Sequence, residues 1–325
     1  MESEGYKKIS LSAVMERSLV MNKWNMKKVV LSLLAVMLLA YGLGTIVLFN
    51  SHNFSFNGEK NSFDVNDEKT LQIAGIKDVR VNTSSTSIHV IPYDGKELKT
   101  SLNGGVISSG PYIKPKLEAY TSGETLYINV GNKTNIVFGF FSSSLKLDVY
   151  IPNSYANNLK LNSSSGSINV MDLKLNKLEC TSSSGSTKIE NVSADSFIQH
   201  NSSGSLTANN LTTKSSQISS SSGSKRLFGF TGDLKSTSSS GSTKIEYTTF
   251  DNNIDISASS GSVEITLPEA SQFYLDASAS SGSIKSDFPI TVSDSNDRHK
   301  LKGTVGSDKN KVTVHTSSGS IRILN

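Results

Sequence analysis

From Leu159 onward the chain alternates apolar and polar residues in short bursts that recur about every 19 residues, each pair of bursts hinged on the motif Ser-Ser-Gly-Ser. Apolar residues stand seven and five places before the glycine and two and four places after it. Leu159, Leu161, Ile168 and Val170 fill those slots around Gly166, Ile254, Ile256, Val263 and Ile265 around Gly261, and Val312, Val314, Ile321 and Ile323 around Gly319. A spacing of two on both sides of a glycine predicts two short strands, each with one buried face, joined at a corner. The corners fall at Gly166, Gly185, Gly204, Gly223, Gly241, Gly261, Gly282 and Gly319, with gaps of 19, 19, 19, 18, 20, 21 and 37 residues, the last close to two periods. Units of this size cannot bury a core alone, so they stack and share one.

Two copies are looser. Ser216, Ile218, Lys225 and Leu227 occupy the slots around Gly223, and Phe197, Gln199, Leu206 and Ala208 those around Gly204, so a register shift or bulge is expected there. Upstream, Val79, Val81, Ile88 and Val90 fit the same frame if Thr86 takes the glycine position, 80 residues or four periods before Gly166. The fold predicted for residues 63–325 is all-β: a single-stranded β-solenoid of 19–20-residue repeats. At about 20 residues and about 4.8 Å per turn, thirteen or so turns give a rod on the order of 60 Å.

A second pattern precedes the repeats. Val29 to Phe49 is an uncharged, largely apolar run of 21 residues, long enough as a helix to cross a ~30 Å hydrocarbon core. Lys7, Lys8, Arg17, Lys23, Lys27 and Lys28 lie before it and no Lys or Arg follows until Lys60. That asymmetry predicts a cytoplasmic N-terminus and an extracellular C-terminal domain on a single-pass cell-membrane protein. A cleaved signal peptide has a similar charged start, but this apolar run exceeds the usual length and no Ala-x-Ala-like site closes it, which favours an uncleaved anchor. The organisation expected is a basic segment 1–28, a transmembrane helix 29–49, a polar stalk 50–62 and the repeat domain 63–325.

Charge and chemistry narrow the function. Beyond residue 50 the chain carries 26 basic and 25 acidic residues, a balance with no call to nucleic acid. Cys180 is the sole cysteine and falls in an inward slot, so no internal disulfide forms. The five histidines are scattered, no Gly-x-Ser-x-Gly elbow occurs, and the repeat positions are Ser and Gly rather than clustered acids. No catalytic, cofactor or metal residues are therefore assigned, and a polysaccharide-cleaving β-helix enzyme, which needs paired carboxylates or a metal, is the weaker alternative. Two surfaces are candidates. One is the column two places before each glycine, Ser164, Ser183, Ser202, Ser221, Ser239, Ser259, Ser280 and Ser317, read either as a corner ladder or as a hydroxyl array for a polymer or glycan. The other is the apolar stretch containing Phe138, Phe140 and Phe141, read either as an end cap of the core or as a patch for a protein or lipid partner.

The anchor, Val79-Arg80-Val81, Ile88-His89-Val90-Ile91-Pro92, Val149-Tyr150-Ile151-Pro152, the repeated Ser-Ser-Gly-Ser and the closing Leu301 to Ile321 segment together resemble the bacterial putative-adhesin family of β-strand-repeat, membrane-anchored proteins, including the LiaG-like proteins of Gram-positive envelope-stress operons. The resemblance implies a β-solenoid ectodomain, no enzymatic activity, and either an adhesion or envelope module that binds a cell-wall polymer, glycan or protein, or an accessory or sensor acting through a membrane-protein partner. Many members carry Asp after the repeat glycine where this chain has Ser, so no role of that acid carries over.

Overall fold

A computed structural model of the chain describes residues 28–43, 61–108, 114–131, 141–294 and 299–325. The chain divides into two compact units, Met1–Glu59 and Lys60–Asn325. In the first, residues 28–43 form a helix whose apolar side chains, among them Leu31, Leu34 and Leu38, are exposed. Among the described residues no helix is long and apolar enough to cross a membrane. Of the span expected at 29–49, the part 44–49 lies outside the described residues, as does the stalk up to residue 60.

The second unit is all-β. Its strands form one open, hydrogen-bonded sheet in which repeat equivalents lie side by side. Thr187–Asn201 runs parallel to Leu206–Ser220, pairing Ile189 with Ala208 and Gln199 with Ile218, and Leu206–Ser220 runs parallel to Lys225–Ser238 in the same way. Each residue thus stacks on its counterpart one repeat away. Burial alternates as the slots require: Leu159, Leu161, Ile168 and Val170 are inside, with their neighbours half-buried or exposed. At the slots around Gly204 and Gly223 the register does not slip: Phe197, Gln199, Leu206 and Ala208 pair directly with Ser216, Ile218, Lys225 and Leu227, so polar side chains enter the interior. The expected shifts fall beside those slots, between Thr212 and Ser215 and between Leu227 and Phe230.

Glycine at the corners answers to close approach more than to backbone angle. Gly223, Gly241, Gly261, Gly282 and Gly319 have φ between 104° and 150°, but Gly166, Gly185 and Gly204 do not have positive φ. At all eight corners a Cβ would come closer than 3.0 Å to the carbonyl of the corner beneath it. Thr86 is the exception that fits, because no corner lies beneath it: its strand Ser87–Tyr93 pairs on that side with Phe141–Pro152. Backbone bonds tie the corners together, such as Ser184 N–H to the Ser164 carbonyl at 2.8 Å and Ser203 N–H to the Ser183 carbonyl at 2.8 Å.

A second bend recurs with period 19 at Asp172, Asn191, Asn210 and Gly229, all with φ between 51° and 65°. Asn and Asp tolerate this left-handed region better than other side chains. Their amides form a ladder, Asn191 Nδ2 to Asp172 Oδ1 at 2.9 Å and Asn210 Nδ2 to Asn191 Oδ1 at 2.8 Å.

Rung order departs from chain order twice. The Thr86 rung sits directly on the Gly166 rung, pairing Val79 with Leu159 and Ile88 with Ile168, so the four periods expected between them are not rungs. The intervening chain adds strands at the other side: Thr125–Gly131 beside Asp78–Thr83, Phe141–Pro152 beside Ser87–Tyr93, and then the antiparallel strands Lys116–Ser122 and Glu97–Ser108, the latter joined by Asn61–Gln72 from ahead of the first rung. Such strands cover an edge that would otherwise invite pairing with another chain. At the other end the Gly319 rung is inserted between those of Gly261 and Gly282: Val312 pairs with both Ile254 and Leu275, and Ile321 with both Val263 and Ile284. The 37-residue gap is therefore a turn-back, not two periods. Thr291–Asp294 and Lys300–Val305 form the antiparallel return.

The core runs through the stack and is apolar at both ends, with Cys180 fully buried among it. Phe230, Tyr247, Phe250, Phe273 and Phe288 make a chain of edge-to-face contacts with centroid distances of 5.1, 5.3, 6.0 and 5.3 Å, filling the C-terminal half.

Candidate functional site

Strand alternation puts the residues four and two places before each corner on the outer face, and stacking lines them up along the axis. The first column holds Thr181, His200, Ser219, Thr237, Ser257, His315 and Ser278 in spatial order. The second is the predicted serine ladder. Together they line a groove of about 690 Å³, the ladder contributing every member except Ser164. The ladder serines are exposed. Their backbone N–H groups hold the corner, as in Ser202 N–H to the Ser182 carbonyl at 3.2 Å, so rung stacking rests on the main chain and the hydroxyls face outward.

The groove is polar and carries two histidines. His200 Nδ1 lies 2.6 Å from Ser219 Oγ and His315 Nδ1 lies 2.7 Å from Ser278 Oγ. No Asp or Glu lines it. A base that activates a serine is normally oriented by a third group, and here that group is missing from the lining. What the arrangement offers is a row of hydroxyl donors and acceptors repeating at about 4.8 Å. The column holding the histidines varies among Ser, Thr and His and so prints no motif, unlike the serine two places on. The Ser278–His315 pair joins rungs that are not consecutive in the chain, so no period in the sequence points to it.

A second polar locus lies near the other end. Glu68, Ser101, Asp148 and His89 stand side by side on four adjacent strands. Ser101 Oγ donates to Glu68 Oε1 at 3.2 Å, Lys146 Nζ is 3.0 Å from Asp148 Oδ2, and His89 Nδ1 is 3.7 Å from Asp148 Oδ1. Burial and the Lys146 charge lower the His89 pKa against the pull of Asp148. Ser101 and His89 flank Asp148 on opposite sides, about two strand spacings or roughly 9.6 Å apart, so the histidine does not reach the serine as a base.

Elsewhere the outer faces carry paired charges along the stack. Lys160 and Lys177 both reach Glu179, at 2.5 and 3.3 Å. Burial pushes that carboxyl up, but the two lysine hydrogen bonds outweigh it and hold the pKa below the usual value. Among the described residues no group of three or more His, Cys, Asp and Glu could hold a metal ion. Of the apolar candidate patch, Phe138 and Phe140 lie outside the described residues, and Phe141 is described only as the first residue of its strand.

The model of the Toastrack DUF4097 family matches residues 57–324. No curated protein matches the chain. Among solved structures, a "putative adhesin" from Bacteroides fragilis is similar at 10% identity and a TM-score of 0.47, over 80% of this chain and 97% of that one. A "putative adhesin" from Parabacteroides distasonis aligns at 12% identity and a TM-score of 0.41, over 82% and 98%. A "putative lipid binding protein" from the same organism aligns at 12% identity and a TM-score of 0.36, over 80% and 97%.

Proposed function

The chain belongs to the Toastrack DUF4097 family, and from that premise we propose that it is a non-catalytic cell-surface module, a β-solenoid held at the membrane by the apolar segment 29–49, whose hydroxyl groove binds an extended polymer such as a glycan or cell-wall strand. The observation that carries this reading is the groove itself: two outward columns of Ser, Thr and His running unbroken across seven rungs, from the Gly185 rung to the Gly282 rung. Each contact to one hydroxyl is weak. A polymer that meets many of them at once gains affinity through effective concentration, without any single deep pocket. The fixed frame supports this, because an ordered column loses little further entropy on binding.

The basic segment before residue 29 and the exposed helix 28–43 favour a second reading, in which the chain serves as an accessory to a membrane partner in envelope-stress signalling. One experiment separates the two. The detergent-solubilised full-length chain is tested for binding to cell-wall polymer and to a glycan panel, alongside a variant carrying Ser202→Lys, Ser221→Lys and Ser259→Lys. Binding that the triple variant loses, with its circular dichroism unchanged, supports the groove. Binding that it retains rejects the groove, and absence of polymer binding together with one stoichiometric membrane partner rejects the polymer reading in favour of the accessory role.

A further inference from the structure

Lys225 occupies a slot that its counterparts Ile168, Val263 and Ile321 fill with apolar side chains, and it is only 2% exposed. Its ammonium has a single hydrogen bond, Nζ to the Thr237 carbonyl at 3.3 Å. No carboxylate pairs with it among the described ion pairs. Burial alone lowers its pKa to about 8.

Close to this cation in sequence and register three hydroxyls are orphaned. Ser236 and Ser238 flank Thr237, whose carbonyl accepts from Nζ, and Thr243 is the register partner of Lys225 on the neighbouring rung. All three are buried, and Ser236 Oγ, Ser238 Oγ and Thr243 Oγ1 have no hydrogen-bond partner. The residues three places before the corners divide: Thr83 Oγ1 bonds the Thr86 carbonyl at 2.8 Å, Ser182 Oγ the Gly185 carbonyl at 2.8 Å, and Asn201 the Gly204 carbonyl, whereas Ser220 Oγ turns to the Ser222 carbonyl and Ser238 and Thr316 leave the bond unmade. Of the two left unmade, Ser238 is the one on the rung that Lys225 Nζ reaches.

Buried polar groups without partners are costly, and a buried charge without a counter-charge more so. Each hydroxyl accepts as well as donates, but all three can turn their protons toward the same guest as the ammonium's spare protons. Water would satisfy part of this set, but only an anion both accepts from every donor and cancels the charge. The geometry points to an internal site for a small monovalent anion of the halide class, held by Lys225 Nζ and the hydroxyls of Ser236, Ser238 and Thr243, between the Gly223 and Gly241 rungs. This site is inside the stack and touches the outer groove at Ser238, which lines both.

Thermal unfolding of the full-length chain in detergent at pH 7, titrating sodium bromide against sodium isethionate at constant ionic strength, tests it. A ligand bound only to the folded state raises Tm with the logarithm of its concentration. The expected rise is about 2–4 °C per tenfold bromide above saturation. It disappears in Lys225→Met and in the Ser236→Ala, Ser238→Ala double variant, whichever of the two folds. A wild-type Tm indifferent to the anion overturns the proposal in favour of water, and a bromide response that persists in Lys225→Met places the effect elsewhere and overturns it equally.

Discussion

Gly185→Ala isolates the steric demand of the stack. Gly185 does not have positive φ, so alanine meets no backbone-angle penalty, yet its Cβ would fall within 3.0 Å of the Gly166 carbonyl carbon and oxygen. That carbonyl is main chain and cannot swing aside. Relief requires the two corners to separate, which strains the bonds from Ser183 N–H to the Ser163 carbonyl and from Ser184 N–H to the Ser164 carbonyl. Overpacking costs about 1–3 kcal/mol, and two weakened hydrogen bonds add about 1 kcal/mol each. The lower entropy of the unfolded alanine chain returns about 0.4–1 kcal/mol. The net is about 3 kcal/mol, or a fall in Tm of about 6–12 °C for a domain of this size. Gly123→Ala is the control: its φ is +59° but nothing lies within 4 Å, so only the left-handed penalty of about 1–2 kcal/mol applies. Thermal and urea unfolding followed by far-ultraviolet circular dichroism read both. A Gly185→Ala protein within 0.5 kcal/mol of wild type, or one less perturbed than Gly123→Ala, refutes the stacking argument.

Deleting residues 307–325 removes a rung from inside the stack, exposing the faces that Val312, Val314, Ile321 and Ile323 cover, all at 0% exposure. The loss is about 6–12 kcal/mol, so the truncated chain is expected to be digested by protease across the C-terminal third, and a resistant, fully stranded product would contradict the rung order. The Lys225 amine sets a pH dependence in halide-free buffer. Its folded pKa of about 8 lies below the 10.5 of a free lysine, so the unfolded chain holds more protons between those values and stability rises with pH through that window, by up to about 3 kcal/mol. Burial raises the pKa of Cys180, Tyr155 and Tyr247, which acts in the opposite sense at higher pH. The rise is therefore read between pH 8 and 9, and Lys225→Met should abolish it. Cys180, fully buried with its thiol pushed up by desolvation, is expected to resist a thiol-directed disulfide reagent until urea unfolds the chain. Prompt labelling of the native protein would show the interior open at that rung.

The eight glycines and their flanking apolar slots were legible because stacking makes each rung obey the same constraints, which print as a period. The role of the glycine was half legible. A turn explains positive φ, but the close approach of one corner to the next is a contact between rungs, and Gly166, Gly185 and Gly204 reveal it only in three dimensions. Lys225 and Gln199 in inward slots suggested slippage, because a buried lysine is rarer than a bulge. The register holds at those slots, since neighbouring rungs fix it on both sides, and slips only beside them, at Thr212–Ser215 and Leu227–Phe230. Rung order was not legible at all. Ile254 accepts Val312 as a neighbour as readily as it would accept Leu275, and nothing local distinguishes a strand placed last from one placed between its predecessors. His315 is visible as a residue but not as a neighbour of Ser278 for the same reason.

The insertion of the Gly319 rung also bears on the timing of assembly. A coil wound strictly in order would close each layer as it emerged from the ribosome or the translocation pore. Here the layers hinged on Gly261 and Gly282 have no direct pairing and meet only through the final segment. Those layers therefore wait, unfinished, until residues 311–324 have emerged, and a product terminated before them carries a built-in mark of its incompleteness.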